Sequence, residues 1–132
     1  MIPLVIVDAA NAIGVVPDGW WRRRAQAATL LRDALEPVAE AGLPGGPPGL
    51  APPLEVVLVV EGAASRIASG RAVRVVAARG SGDDAIIRLV AAEAAGRPIV
   101  VVTADRGLRA RVTALGAEVL GPRALPPRAR LS

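Results

Sequence analysis

Five short apolar runs, spread along the whole chain, constrain the fold more than any other feature. They are rich in valine and largely continuous rather than alternating in polarity, and they occupy residues 4–7, 56–60, 73–77, 99–102 and 118–120. Continuous apolar strands are typical of a sheet covered on both faces, as parallel sheets are. The runs therefore predict an α/β fold with a mainly parallel, five-stranded sheet.

Segments of helical periodicity separate these runs. Apolar residues recur at helical spacing in residues 23–41, 84–95 and 106–115, and Pro37 is expected to kink or shorten the first of these helices. Repeated strand, helix, strand units connect through right-handed crossovers. The prediction is a three-layer α/β/α sandwich.

The 132 residues are predicted to form a single domain over residues 1–121. Residues 42–53 hold nine Gly or Pro in twelve positions and are expected to form a surface loop. Residues 122–132 are expected to form a loosely held basic Pro/Arg tail.

Three missing residue types exclude several kinds of site. Without Cys or His, the chain cannot form disulfides, Cys/His zinc sites or Ser-His-Asp triads. Without Lys it has neither a Walker A loop nor Schiff-base chemistry. All 16 basic residues are Arg, and the net charge of +4 is consistent with a nucleic-acid partner. A cytoplasmic protein is expected, since no run resembles a signal segment or a membrane span.

Acidic residues follow each of the first four predicted strands. They are Asp8, Glu61, the pair Asp83 and Asp84, and Asp105, which are five of the twelve acids in the chain. Because the carboxyl ends of parallel strands meet at one edge of a sheet, these side chains are expected to converge where open α/β sheets bind their ligands. Crowded carboxylates repel one another, so a bound cation is implied.

Each of these acids also has a purely structural interpretation. Asp8 and Asn11 are good turn formers and could simply end the first strand. The later aspartates could cap the helices that follow them, with Ser81 as a competing cap, and Glu61 could be an exposed loop acid. Repetition of acids at these positions favours the chemical interpretation, because Ser, Thr and Asn cap helices as well as Asp does.

The available ligands determine which cation is expected. Oxygen donors alone favour Mg²⁺ or Mn²⁺ over zinc or copper. Neighbouring parallel strands lie about 4.8 Å apart, so acids at two adjacent strand ends can share one ion with bonds of roughly 2.1 Å. Asp8 and Asp105 meet this condition if the first and fourth strands are neighbours.

Three motifs, in this order, resemble the PIN-like nucleases of the NYN type, especially the small stand-alone bacterial YacP-like proteins. They are DAAN at residues 8–11, RGSGDDAI at 79–86 and TADRGLR at 103–109. The resemblance spans nearly the whole chain. It implies a sheet of strand order 3-2-1-4-5 and a metal-dependent ribonuclease activity.

The same resemblance implies the residues of the site. The catalytic positions are expected to be Asp8, Asn11, Asp83, Asp84 and Asp105. The metal is expected to be held by Asp8, Asp84 and Asp105, joined by Glu61, which matches a position that is often acidic in relatives. Asn11 would position water or a phosphate oxygen.

Arginines near these motifs are candidate contacts for RNA. They are Arg22, Arg23, Arg24, Arg106 and Arg109. The first three follow Trp20 and Trp21, the only aromatic residues, which could stack on bases. The alternative is that the tryptophans pack internally and the arginines form a solvated helix face.

Three function classes follow from the sequence. The first is a Mg²⁺- or Mn²⁺-dependent ribonuclease that hydrolyses phosphodiester bonds with activated water, with DNA not excluded as a substrate. The second is a non-catalytic RNA- or ribosome-binding module, favoured by Ala9 and Ala10, where the family usually has Gly and an aromatic residue. The third, a phosphotransfer domain with Asp8 as acceptor, is disfavoured by the missing Lys and by Ala10, where dehalogenase-like folds have a second Asp.

Overall fold

The five predicted strands are confirmed in the computed structural model, which describes residues 2–13, 20–43, 46–47, 50–62 and 67–126. They are β1 (Leu4–Asp8), β2 (Glu55–Val60), β3 (Val73–Ala77), β4 (Ile99–Val102) and β5 (Glu118–Leu120). Two strands are one residue longer than predicted, because Asp8 pairs opposite Val59 and Glu55 pairs opposite Leu4. Asp8 is thus the last residue of its strand.

The sheet is entirely parallel, with the order β3-β2-β1-β4-β5 that the resemblance implies. β1 lies at the centre and pairs with both β2 and β4. The chain reverses its direction of progress across the sheet at β1, so the crevice between the carboxyl ends of β1 and β4 is the position where open α/β sheets bind ligands.

Helices cover both faces and form the predicted three layers. They are α1 (Ala9–Ile13), α2 (Trp20–Leu35), α3 (Val38–Ala41), α4 (Gly82–Glu93) and α5 (Arg106–Ala114). α1, α2 and α3 pack against Val5 and Val7 on one face, while α4 and α5 pack against Leu4 and Ile6 on the other. Burying a Val, Leu or Ile side chain contributes roughly 1.5–3 kcal/mol, so these two apolar clusters hold the layers together.

Pro37 divides the first long helix, as the sequence predicts. α2 ends at Leu35, and α3 begins after Pro37. Proline lacks the N–H that would continue the helical hydrogen bonds, and its ring crowds the preceding turn. α2 also begins three residues earlier than residue 23, at Trp20.

A short helix, α1, follows Asp8, where the structural interpretation of Asp8 and Asn11 was a turn. It includes Asn11, and its Ala9 and Ala12 are buried against the sheet. Alanine has the highest helix propensity, and these small side chains let the backbone lie close to the strands. Ala9 and Ala10, at which the chain departs from the motif of the PIN-like nucleases, therefore lie in a helix.

Leucines anchor the Gly/Pro-rich segment and the start of the expected tail. Leu43 and Leu50 are buried in the core on the α2 side, so the loop is fastened to the domain at these points. Pro122–Ala124 forms a 3-10 turn, and Leu125 is only 2% exposed in the same cluster. Leu125 thus packs the start of the expected tail into the core, and residues 127–132 lie outside the described structure. None of the helices in the described ranges has the length and apolar character needed to cross a membrane.

Candidate active site at the carboxyl edge of the sheet

Strand alternation places three polar side chains on one face of the sheet. Leu4 and Ile6 of β1, Val57 and Val59 of β2, and Ile99 and Val101 of β4 all face α4 and α5. Successive side chains of a strand alternate between faces, so the next positions of this series are Asp8, Glu61 and Thr103. All three side chains therefore lie at the carboxyl edge, on the face of the sheet that α4 and α5 cover.

A hydrogen-bonded chain joins β1 to the start of α5. Thr103 Oγ1 donates to Asp8 Oδ2 over 2.9 Å and accepts from the Asp105 backbone N–H over 3.1 Å. Asp8 is 3% exposed and Thr103 is fully buried, which makes them the buried polar residues of the described core. A buried carboxylate requires such partners, because its desolvation is costly.

Asp105 caps the helix that follows it. Its Oδ1 accepts from the Leu108 backbone N–H over 2.9 Å, in the usual geometry of an N-cap aspartate. The capping interpretation of Asp105 is therefore observed. The cap also holds this carboxylate near Asp8, because Thr103 contacts both residues.

Ser81, rather than either following aspartate, caps α4. Its Oγ accepts from the Asp84 backbone N–H over 3.2 Å. Glu61 accepts a short hydrogen bond from the Gly82 backbone N–H, and a Cβ on Gly82 would lie 3.1 Å from Glu61 Oε2. Glu61 is thus not a free loop acid, because it ties the end of β2 to the first turn of α4.

The negative charges of the other acids act on the pKa of Asp83. Partial burial and the negative charges of Asp105, Asp8 and Glu61, in that order, raise the pKa of Asp83, and Arg111 lowers it. Coulomb interactions weaken with distance, so the four carboxylates share one region at the carboxyl edge. These four carboxylates, Asp8, Glu61, Asp83 and Asp105, are the acidic cluster of the described structure.

Asp84 has a different environment from its neighbour. Its Oδ1 lies 3.8 Å from Arg111 Nη2, and the two side chains are 61% and 53% exposed. Asp84 stays a predicted metal ligand, whereas the other acids are seen to act on the pKa of Asp83. Consecutive helical residues point about 100° apart, so the two aspartates have different surroundings.

The remaining predicted residues are only partly described. Asn11 lies in α1, and Arg22 and Arg23 lie in α2, but the structure does not describe their side chains. Arg24 and Arg109 are half-buried and Arg106 is exposed, the last two on α5 near Asp105.

The donor set of the acidic cluster suits a hard cation. All of its side chains offer carboxylate oxygens, the ligands that Mg²⁺ and Mn²⁺ prefer. Across the described ranges, no group of three acidic side chains is arranged as a ready metal cage. Mg²⁺ is usually held by one or two carboxylates together with waters and substrate phosphates, so the donor chemistry fits without such a cage.

Two residues of this region are not predicted from the sequence. Thr103 was detectable from strand alternation, since it continues the series of Ile99 and Val101 into the edge. Ser81 is one of the caps that the sequence offers for α4, and the structure confirms it. Arg111 gave no sequence signal, because its partner Asp84 lies on another helix.

Comparisons with known proteins agree with this architecture. No family model matches the chain, and neither does any curated protein. Among solved structures, a mutant of Rae1 (YacP) from Bacillus subtilis is similar, with a TM-score of 0.57 and 19% sequence identity over 92% of this chain and 70% of the Rae1 chain. The chain therefore shares its fold with Rae1 (YacP).

Proposed function

We propose that this protein is a divalent-metal-dependent ribonuclease whose site is the acidic cluster. The observation that carries the proposal is the convergence of Asp8, Glu61, Asp83 and Asp105 between the first turns of α4 and α5. The fold shared with Rae1 (YacP) supports it, together with the motif resemblance to PIN-like nucleases. RNA in the cytoplasm is the proposed substrate.

The chain supplies the binding and orienting groups for this chemistry. The chemistry that a bound Mg²⁺ or Mn²⁺ supplies is neutralisation of phosphoryl oxygens and activation of water. Asp8 and Asp105 would hold the cation, with Asp83 and Glu61 beside them. Thr103 fixes the Asp8 carboxylate by donating to one oxygen, and the buried floor of the site excludes bulk water there.

Other groups would act on the RNA. Asn11, in the first helix after Asp8, would orient a water or a phosphate oxygen, as the family resemblance implies. Arg106 and Arg109 on α5, with Arg22, Arg23 and Arg24 on α2, would bind backbone phosphates. Guanidinium groups suit this role because they form paired hydrogen bonds with phosphate.

Replacement of Asp8 by asparagine tests the proposal. Asp8→Asn should abolish Mn²⁺-dependent cleavage of a labelled structured RNA and weaken Mn²⁺ binding in calorimetric titration, because it removes a charged ligand. Asp33→Asn is the matched control, since Asp33 is exposed on α2 and pairs with Arg32. Equal Mn²⁺ affinity in the parent and Asp8→Asn proteins would exclude the metal site. A single-stranded DNA of the same sequence, assayed in parallel, separates ribonuclease from general nuclease activity.

A non-catalytic RNA- or ribosome-binding module is the second candidate. Two observations favour it, namely the lack of a ready three-acid metal cage in the described residues and the Ala9-Ala10 departure from the family motif. This candidate predicts that the parent protein binds RNA and yet cleaves neither RNA nor DNA at any Mn²⁺ concentration.

A further inference from the structure

Arg111 lies on the side of α5 that faces α4. Leu108 and Val112 of this helix are buried against the sheet, which fixes the orientation of the helix. Arg109 and Arg111 are two residues apart, or about 200° around the helix axis, so they occupy opposite flanks of the buried stripe. Because Arg111 contacts Asp84 of α4, Arg109 lies on the flank away from α4.

The direction of the side chain brings Arg111 toward the edge of the sheet. Helical side chains lean toward the N-terminus of their own helix, and the N-termini of α4 and α5 both lie at the carboxyl edge. In agreement with this, the charge of Arg111 lowers the pKa of Asp83, a member of the acidic cluster. Arg111 is thus a cation at the border of four carboxylates.

The partner of Arg111 holds it weakly. The Arg111 Nη2 to Asp84 Oδ1 distance is 3.8 Å, longer than a charged hydrogen bond, and both side chains are more than half exposed. Exposed pairs of this kind contribute little to stability because water and salt screen them. The guanidinium can therefore exchange Asp84 for a stronger acceptor at low cost.

We propose that Arg111 is a phosphate-binding residue that leaves Asp84 and contacts the RNA backbone next to the acidic cluster, an inference that rests on the proposed function. The two unesterified oxygens of a phosphate diester match the guanidinium fork, and no charged hydrogen bond to Asp84 has to be broken to reach them, since Asp84 Oδ1 lies 3.8 Å away. Arg111 would then place the scissile phosphate against the carboxylates that the sequence motifs supply. Asp84 would keep the guanidinium near this position in the absence of RNA.

Binding of a labelled single-stranded RNA at several salt concentrations tests the inference, with Arg74→Gln as the control. Arg74 is matched to Arg111 because it is 52% exposed and its Nη2 lies 3.8 Å from Glu55 Oε2, but it lies near the amino edge of the sheet. Arg111→Gln should weaken binding about two- to fivefold at low salt, the size expected for one exposed charge contact. The slope of log affinity against log salt should shrink by about 0.7, because one phosphate contact is lost.

Two further measurements follow. The Arg111→Lys variant separates the charge of the side chain from its fork geometry, and cleavage kinetics show whether Arg111 acts on KM or on kcat. Lys retains the charge without the fork, so it should recover the salt slope but only part of the affinity. In cleavage assays Arg111→Gln should raise KM, and Arg74→Gln should change neither KM nor kcat. If the parent binds RNA and Arg111→Gln binds it equally well with an unchanged salt slope, Arg111 has no such role, although the proposed function stands. If the parent binds no RNA, the proposed function fails and the inference fails with it.

Discussion

Thr103 links Asp8 and Asp105, two residues that lie far apart in the sequence. Its hydroxyl satisfies Asp8 and the Asp105 backbone N–H at once, and it is fully buried. Thr103→Val keeps the shape but leaves both groups without this partner, so the free energy of unfolding should fall by about 1–3 kcal/mol in urea titration. Thr113→Val, on the exposed side of α5, is the control and should change stability by less than about 0.5 kcal/mol. A Thr103→Val protein as stable as the parent would show that the hydroxyl contributes nothing.

Asp83 should make the metal-free protein less stable as the pH rises. Burial and the neighbouring acids raise its pKa above the ordinary value of 3.8, so the native state binds this proton more strongly than the unfolded state does. Protonation of Asp83 thus stabilises the fold below pH 3.8, and this contribution is lost as the pH rises through the higher native pKa.

Replacement of the Asp83 carboxylate by a neutral amide should abolish this loss of stability at higher pH. The stability of Asp83→Asn relative to the parent should increase between pH 3.8 and neutrality, in urea titrations with chelator present. Asp84→Asn is the control, since it occupies the same first turn of α4 but pairs with Arg111. If the free energies of unfolding of Asp83→Asn and the parent differ by the same amount at every pH in this range, the carboxylates do not act on Asp83 as described.

At the scale of elements, the junction of β2 with α4 depends on a glycine. Gly82 is buried and its N–H donates to Glu61, and a Cβ at this position would make a tight contact of 3.1 Å with Glu61 Oε2. Gly82→Ala should push this acceptor away and lower the free energy of unfolding by about 1 kcal/mol relative to Gly80→Ala, where a Cβ meets nothing within 4 Å. Thermal unfolding of the two variants makes the comparison, and equal midpoints would show that Glu61 adapts freely.

The strands were predictable from sequence, whereas the contacts of the site were not. Valine-rich runs identify buried parallel strands directly, and the sheet order followed from the motif resemblance. At the start of α4, Ser81, Asp83 and Asp84 could each cap the helix according to the sequence. The structure shows that Ser81 is the cap. The roles of Asp83 and Asp84 depend on how α4 packs against α5, which periodicity does not encode.

For the molecule as a whole, charge is unevenly distributed. The chain carries a net charge of +4, yet four of its acids act on one another at a single edge of the sheet. A basic exterior attracts polyanions over distances of about a Debye length, roughly 8–10 Å at physiological salt. The acidic cluster opposes close approach of a phosphate unless a cation offsets it. In the proposed function, long-range attraction of RNA and its placement at the site would therefore depend on different residues.

The central position of β1 has a consequence for synthesis of the protein. The hydroxyl that holds the Asp8 carboxylate belongs to Thr103, which leaves the ribosome 95 residues after Asp8 and directly follows β4. Pairing of such distant segments must wait until both have been made, and folding dominated by long-range contacts is slow. The edge of the sheet that carries the acids therefore cannot assemble on a growing chain until the segment after β4 has emerged. If the protein is the ribonuclease proposed above, a nascent copy would lack a complete site until then, while it is still close to the messenger and ribosomal RNA that produce it.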